Sequence, residues 1–184
     1  MKKNLFLDLG NVILKVKKEA VIQAISTLLK KDRDDIAGHI DWDLEKAYEK
    51  GAISSRQYIE KMNNIFPTTE NFTFESLCGL WKKGFEKIDA TVDLLPRLGQ
   101  VNNLYLLSNT NEIHFTAIEQ EYKIARYFKK LILSYEVGHR KPDPAIYHKA
   151  LTMTGATPET SYFVDDLREN VKTARELGIT TLHH

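Results

Sequence analysis

Five short apolar runs constrain this chain more than any other feature. They are Asn4–Leu7, Leu104–Leu107, Leu131–Leu133, Tyr162–Val164 and a weaker one at Thr180–Leu182. Runs of this length, bounded by polar residues, read as buried strands. Between the later runs lie helical patterns with apolar residues three and four apart, at Val92–Leu98, Ile113–Glu121, Pro144–Thr154 and Asn170–Leu177. Gly178 follows the last of these as a helix-closing residue. Alternating strand and helix calls for a parallel sheet with crossover helices, the doubly wound, Rossmann-like α/β class.

The stretch from Lys17 to Asp89 has a different character. Helical patterns occur at Ala20–Leu29, Asp32–Ile40, Leu44–Lys50, Ser55–Ile65 and Phe74–Phe85, with breaks at Gly51 and Pro67. No strand is read there. The division expected is an α/β core of residues 1–16 and 90–184 and an inserted all-helical module of residues 17–89. Trp42, Tyr48, Trp81 and Phe85 are expected in the core of that insert.

Composition excludes some function classes. The 184 residues carry a net charge of +1, which gives no electrostatic footprint for nucleic acid or for a membrane surface. The single cysteine, Cys78, rules out an intrachain disulfide and fits a reducing compartment. No run approaches the ~20 apolar residues of a membrane-spanning helix. The apolar run at the N-terminus is too short for a signal-peptide core. A cytoplasmic protein is expected.

Acids stand at the mouths of two of the strands. Asp8 follows Leu5-Phe6-Leu7, and Asp165-Asp166 follow Tyr162-Phe163-Val164. An unpaired buried carboxylate is costly, whereas a cluster of them suits a divalent cation and a nucleophile. In an open parallel sheet, ligands bind outside the carboxyl ends of the strands. Ser108-Asn109-Thr110-Asn111 and Arg140-Lys141-Pro142-Asp143 are expected at that edge too. A carboxylate, a hydroxyl with backbone amides, an ammonium and a metal-binding acid together suit phosphoryl transfer. Ser108-Asn109 also read as the N-cap of the next helix, Asp143 as an N-cap before Pro144, and one of Asp165 and Asp166 as a cap of the last helix. Glu49, Lys50 and Ser54, flanking Gly51, are in reach of the site from the insert.

The chain resembles the haloacid dehalogenase-like (HAD) hydrolases. The residues that carry the resemblance are Phe6-Leu7-Asp8-Leu9-Gly10-Asn11-Val12, Leu107-Ser108-Asn109-Thr110-Asn111, Arg140-Lys141-Pro142-Asp143-Pro144 and Phe163-Val164-Asp165-Asp166-Leu167-Arg168-Glu169-Asn170. They follow the family's order and spacing. The insert resembles the family's small helical cap, and Glu49-Lys50-Gly51-Ala52-Ile53-Ser54 resembles a cap segment of sugar-phosphate and glucose-1-phosphate phosphatases. The resemblance implies that Asp8 attacks phosphorus to form an aspartyl-phosphate. It implies that Ser108, Asn109, Asn111 and Lys141 bind the phosphoryl group. It further implies that Mg2+ is held by Asp8, the Gly10 carbonyl and Asp166, with Asp165 and Asn170 in support. The partner implied is a small-molecule phosphate ester.

Position 10 departs from the family pattern. A second aspartate usually stands there as general acid and base, and such a group is typically worth roughly 10²–10⁴ in rate. Gly10 leaves that step without its usual residue. One reading is a substrate whose leaving group needs less help, such as a sugar 1-phosphate. Another is a protein that binds phosphate compounds with little turnover. Retention of Asp8, Ser108, Lys141 and Asp166 favours the first. A metal-free 2-haloacid dehalogenase is a further alternative, which Gly10 supports and Asp165-Asp166 opposes.

Overall fold

The structure is a computed structural model that describes residues 2–67 and 71–184. Strand β1 (Lys3–Leu7) leads into a short strand β2 (Leu14–Val16). Helices α1 (Lys18–Leu29), α2 (Arg33–Gly38), α3 (Trp42–Glu49), α4 (Ser55–Ile65) and α5 (Phe74–Lys82) follow, and then strand β3 (Phe85–Lys87). The chain continues through α6 (Asp89–Val92), α7 (Leu95–Val101), β4 (Asn102–Ser108), α8 (Glu112–Tyr122), β5 (Lys130–Leu133) and the single turn α9 (Ser134–Val137). It closes with α10 (Pro144–Thr154), β6 (Ser161–Asp165), α11 (Arg168–Glu176) and β7 (Thr180–His183).

The main sheet is parallel, with strand order β5-β4-β1-β6-β7. Its inner strands read as continuous apolar runs because both faces are covered. Side chains alternate between two clusters. Leu7, Leu104 and Leu106 pack on one face with Leu95, Ile118 and Leu133. Phe6, Tyr105, Leu107 and Phe163 pack on the other with Ile146, Tyr147 and Ala174. The helices following β4, β5 and β6 thus divide between the faces, as a doubly wound sheet requires.

Four of the five helix starts between Lys17 and Phe85 are chemically marked, α1 being the exception. Asp32, Asp41, Ser54 and Thr73 each accept a hydrogen bond from a backbone N–H of the first turn. Ser54 and Thr73 form full capping boxes with Gln57 and Ser76, which satisfies donors a helix start leaves open. The apolar cluster of these helices includes Val21, Ile25, Leu44, Tyr48, Met62 and Leu77, and it takes in Ile113 and Ala117 of α8.

Three expectations are corrected. A strand does lie between residues 17 and 89: β3 pairs antiparallel with β2, Val16 opposite Phe85 and Leu14 opposite Lys87. The last helix of the insert therefore stops at Lys82 rather than Phe85. The Val92–Leu98 pattern is split between α6 and α7, with Pro96 in the first turn of α7, where its missing N–H costs nothing. Trp42 is 52% exposed, not core; it begins α3, and the Lys18 ammonium lies 4.8 Å from its ring centroid.

Candidate active site

Parallel pairing brings the site together. Leu7 is in register with Leu106 on one side and Val164 on the other. Asp8 and Asp165, which follow Leu7 and Val164, and Ser108, two residues beyond Leu106, therefore stand at the same edge of the sheet. Lys141 reaches them from the loop between α9 and α10. Its Nζ donates to Asp8 Oδ1 at 2.7 Å, to Asp165 Oδ2 at 2.7 Å and to the Leu107 carbonyl at 2.8 Å. An ammonium has three protons, and all three are spent. Lys141 is only 2% exposed, so its charge acts on the two carboxylates with little screening.

The loop carrying Lys141 is held by Asn109. The Asn109 side chain accepts from the Lys141 N–H at 2.8 Å and donates to the Lys141 carbonyl at 2.9 Å. The neighbouring turn is fixed by Ser134, whose Oγ accepts from the Thr110 N–H and donates to the Thr110 carbonyl, both at 2.9 Å.

The three acids differ in their surroundings. Burial pushes the Asp8 carboxyl up to about 6, against the pull of the Lys141 charge. Asp165 is fully buried and fully engaged: Oδ1 accepts from the Leu167 N–H at 2.8 Å and from Asn170 Nδ2 at 2.9 Å, and Oδ2 takes Lys141. Asp166 has no lysine partner among the described residues; its Oδ2 accepts from Asn11 Nδ2 at 2.9 Å. One carboxylate oxygen from each acid lies within 4.8 Å of the others. Hard oxygen donors this close, with Asp165 already occupied by protein donors, suit a hard divalent cation on Asp8 and Asp166. The further ligand that the family resemblance implies, the Gly10 carbonyl, lies two residues after Asp8 in the chain.

Ser108 ends β4 and is 2% exposed. The cap of α8 is not Ser108-Asn109, as expected, but Asn111, whose Oδ1 accepts from the His114 N–H at 2.9 Å. Strand β4 runs through Ser108, which displaces the cap along the chain. Asn111 Nδ2 is buried with no partner among the described residues. Asn109 and Asn111 therefore differ: the first spends its side chain on the Lys141 loop, and the second keeps a donor. Asp143 does cap α10, accepting from the Ala145 N–H at 2.9 Å, with Pro144 in the first turn. Neither Asp165 nor Asp166 is the capping residue of α11; that position is Leu167, with no side-chain cap bond. Asn170 turns inward from α11 and bonds both oxygens of Asp165.

The insert meets this edge at α3. Arg140 Nε donates to Glu49 Oε2 at 2.6 Å, which links the helix to the residue before Lys141. Gly51, with φ +67°, packs so closely that a Cβ there would lie 2.2 Å from the Tyr135 carbonyl. Tyr48 Oη accepts from the Ile113 N–H at 3.3 Å.

A haloacid dehalogenase-like hydrolase family model matches residues 2–178. The chain belongs to that family. A HAD family enzyme from Bacteroides thetaiotaomicron, crystallised with magnesium and inorganic phosphate, superposes with a TM-score of 0.88 at 28% identity, over 100% of this chain and 94% of that one. The D-ribitol-5-phosphate phosphatase of Bacteroides thetaiotaomicron is 28% identical over 98% of this chain and 91% of its own length. A flavin mononucleotide hydrolase of Arabidopsis thaliana is 31% identical over 72% of this chain, which spans about half (53%) of that protein. HAD neighbours thus contain magnesium, and HAD relatives are phosphatases.

Two contributors to this HAD site were not singled out in the sequence. Asn11 bonds Asp166 and, through Oδ1, accepts from the Val16 N–H at 3.2 Å; the turn-forming Gly10-Asn11 pair before apolar Val12 was its signal, and the structure holds Asn11 at φ 54°. Ser134 had no signal, because nothing in Leu133-Ser134-Tyr135 points to Thr110.

Proposed function

We propose that the chain is an Mg2+-dependent phosphatase of a small phosphorylated metabolite, working through an aspartyl-phosphate on Asp8. The observation that carries this reading is Lys141 Nζ held 2.7 Å from both Asp8 and Asp165, beside an Asp166 that no lysine among the described residues neutralises. A buried cation keeps Asp8 ionised and so nucleophilic at neutral pH. Its Oδ bonds to phosphorus as the ester P–O bond breaks. The departing alkoxide takes its proton from water, since position 10 offers no acid. Water then attacks the same phosphorus, the Asp8–phosphorus bond breaks, and inorganic phosphate leaves.

Ser108, the backbone around Asn109 and the free Nδ2 of Asn111 supply donors toward the phosphoryl oxygens. Lys141 balances their charge. Mg2+ held by Asp8, the Gly10 carbonyl and Asp166 would neutralise the transferring group. Asp165 and Asn170 hold Lys141 in place. Residues 17–89 serve as a cap over this edge, with 1–16 and 90–184 as the core.

The magnesium-containing and phosphatase relatives support this reading. No helix among the described residues is long and apolar enough to cross a membrane, and a cytoplasmic location suits a chain with one free, buried cysteine. A phosphatase screen with Mg2+ that includes sugar 1-phosphates, sugar 6-phosphates and polyol phosphates tests the proposal. Turnover is expected, EDTA is expected to remove it, and Asp8→Asn is expected to abolish it. Undiminished activity of Asp8→Asn would sink the mechanism; haloacid turnover that survives EDTA would favour the dehalogenase alternative.

A further inference from the structure

Lys141 bonds Asp8 and Asp165 but not Asp166, and the Asp166 carboxylate rests on a single side chain. Among the described residues only Asn11 bonds it, Nδ2 donating to Oδ2 at 2.9 Å. The Asp166 carbonyl meets His183 Nε2 at 2.9 Å, a contact that touches the backbone and leaves the carboxylate to Asn11. A carboxylate has about four lone-pair directions, so this one bond orients the group and leaves the rest open to a cation. Groups that orient a metal ligand are typically worth roughly 10–100-fold in metal affinity.

Asn11 is held from the other side as well. Its Oδ1 accepts from the Val16 N–H at 3.2 Å, and its own N–H donates to the Leu14 carbonyl at 2.7 Å. Its φ of 54° is left-handed, a region that glycine enters freely and asparagine tolerates. The turn alone does not call for a side chain here; the two side-chain hydrogen bonds do. A free asparagine amide turns broadly about its last torsion, whereas one bonded at both ends has its plane fixed. Val16 ends β2 opposite Phe85 of β3, and the next N–H, that of Lys17, donates to the Gly84 carbonyl. One amide group therefore reaches from a candidate metal ligand to the ribbon through which the chain enters and leaves the helical insert.

We propose that Asn11 is a positioning residue that couples cation binding at Asp166 to closure of the β2–β3 ribbon. With Val16 in place, Asn11 presents Nδ2 to Asp166 and sets the carboxylate for Mg2+. Coupling between two binding events is reciprocal. Mg2+ at Asp166 therefore tightens the Val16–Asn11 bond, and with it the root of the insert. The inference rests on the Mg2+ site of the proposed phosphatase; it does not require that an ester be hydrolysed.

The test needs no substrate. The full chain, labelled with nitrogen-15, is titrated with Mg2+, and its amide shifts give the Kd. Asn11→Gly removes both side-chain bonds at a φ that glycine accepts, and it is expected to weaken Mg2+ binding by at least about tenfold. Amide exchange is the second readout. In the unsubstituted chain, saturating Mg2+ is expected to slow exchange of the Val16 N–H by about fivefold or more. In Asn11→Gly, and in Asp166→Ala, Mg2+ is expected to leave that exchange unchanged. An unchanged Kd in Asn11→Gly, with only the metal-free urea midpoint lowered, makes Asn11 a turn residue and overturns the coupling. Val16 exchange in the unsubstituted chain that ignores bound Mg2+ overturns it too, and that measurement depends on no variant folding. No Mg2+ uptake by the unsubstituted chain removes the metal site of the phosphatase reading and the coupling together. Uptake and coupling in a chain that hydrolyses no ester overturn the phosphatase reading and leave the role of Asn11 standing.

Discussion

At Gly10 a side chain needs only the Val16 methyl to shift by a few tenths of an ångström. A Cβ there meets only Val16 Cγ2, at 3.2 Å, and the residue has no positive φ, so the missing acid is not forced by the fold. Gly10→Asp is therefore expected to fold and to raise kcat more for alkyl phosphates than for sugar 1-phosphates, whose anomeric hydroxyl is the better leaving group. Equal gains on both would remove leaving-group acidity as the reason for the glycine. Lys141 is the opposite case. Removing one partner of a buried ion pair typically costs about 3–5 kcal/mol, because the remaining charges lose their compensation. Lys141→Ala is expected to lose about that much in urea denaturation without metal, and to lose turnover. Adding Asp165→Asn relieves one stranded carboxylate and is expected to restore part of the stability but none of the activity. If stability and activity return together, Lys141 acts through structure alone. Asp8, Ser108, Lys141 and Asp165 were legible because each stands at a strand end or in a short polar motif. The division of labour was not: that Asn109 serves Lys141 while Asn111 caps α8 depends on how far β4 runs, which the sequence does not mark.

Among the elements, the strands of the main sheet were readable to within two residues because buried parallel strands are apolar on both faces. The ribbon of β2 and β3 was not. Each strand is three residues long, Leu14-Lys15-Val16 and Phe85-Glu86-Lys87, and a pairing between segments so distant in sequence leaves no local period. The turn between α3 and α4 sets how the insert sits on α9. Gly51→Ala would place a methyl 2.2 Å from the Tyr135 carbonyl, at φ +67°. The expected cost is about 1–3 kcal/mol, read from the urea midpoint. A drop in kcat is expected with it, since Glu49, two residues earlier, holds Arg140. A variant with unchanged midpoint and kcat would show that the turn does not position the loop.

For the whole molecule, Glu45 makes stability depend on pH in an unusual direction for a carboxylate. Burial, the largest cause, raises its pKa from 4.5 to about 7 in the fold. Between those values the folded state binds more protons than the unfolded state, so this group's contribution falls as pH rises. It is fully present below about 4.5 and lost above about 7. Glu45→Gln keeps an acceptor for Tyr58 and is expected to raise Tm at pH 8 more than at pH 5. Equal shifts at both pH values would mean that Glu45 is not protonated in the folded chain. The β2–β3 ribbon has a consequence at this same scale. Val16 faces Phe85, and the Lys17 N–H donates to the Gly84 carbonyl at 2.7 Å. The chain therefore departs and returns at adjacent points, joined there by backbone bonds. Such a junction brings the two ends of the helical segment within one hydrogen bond of each other, so the length of what lies between does not by itself set the path of β1 into Asp8.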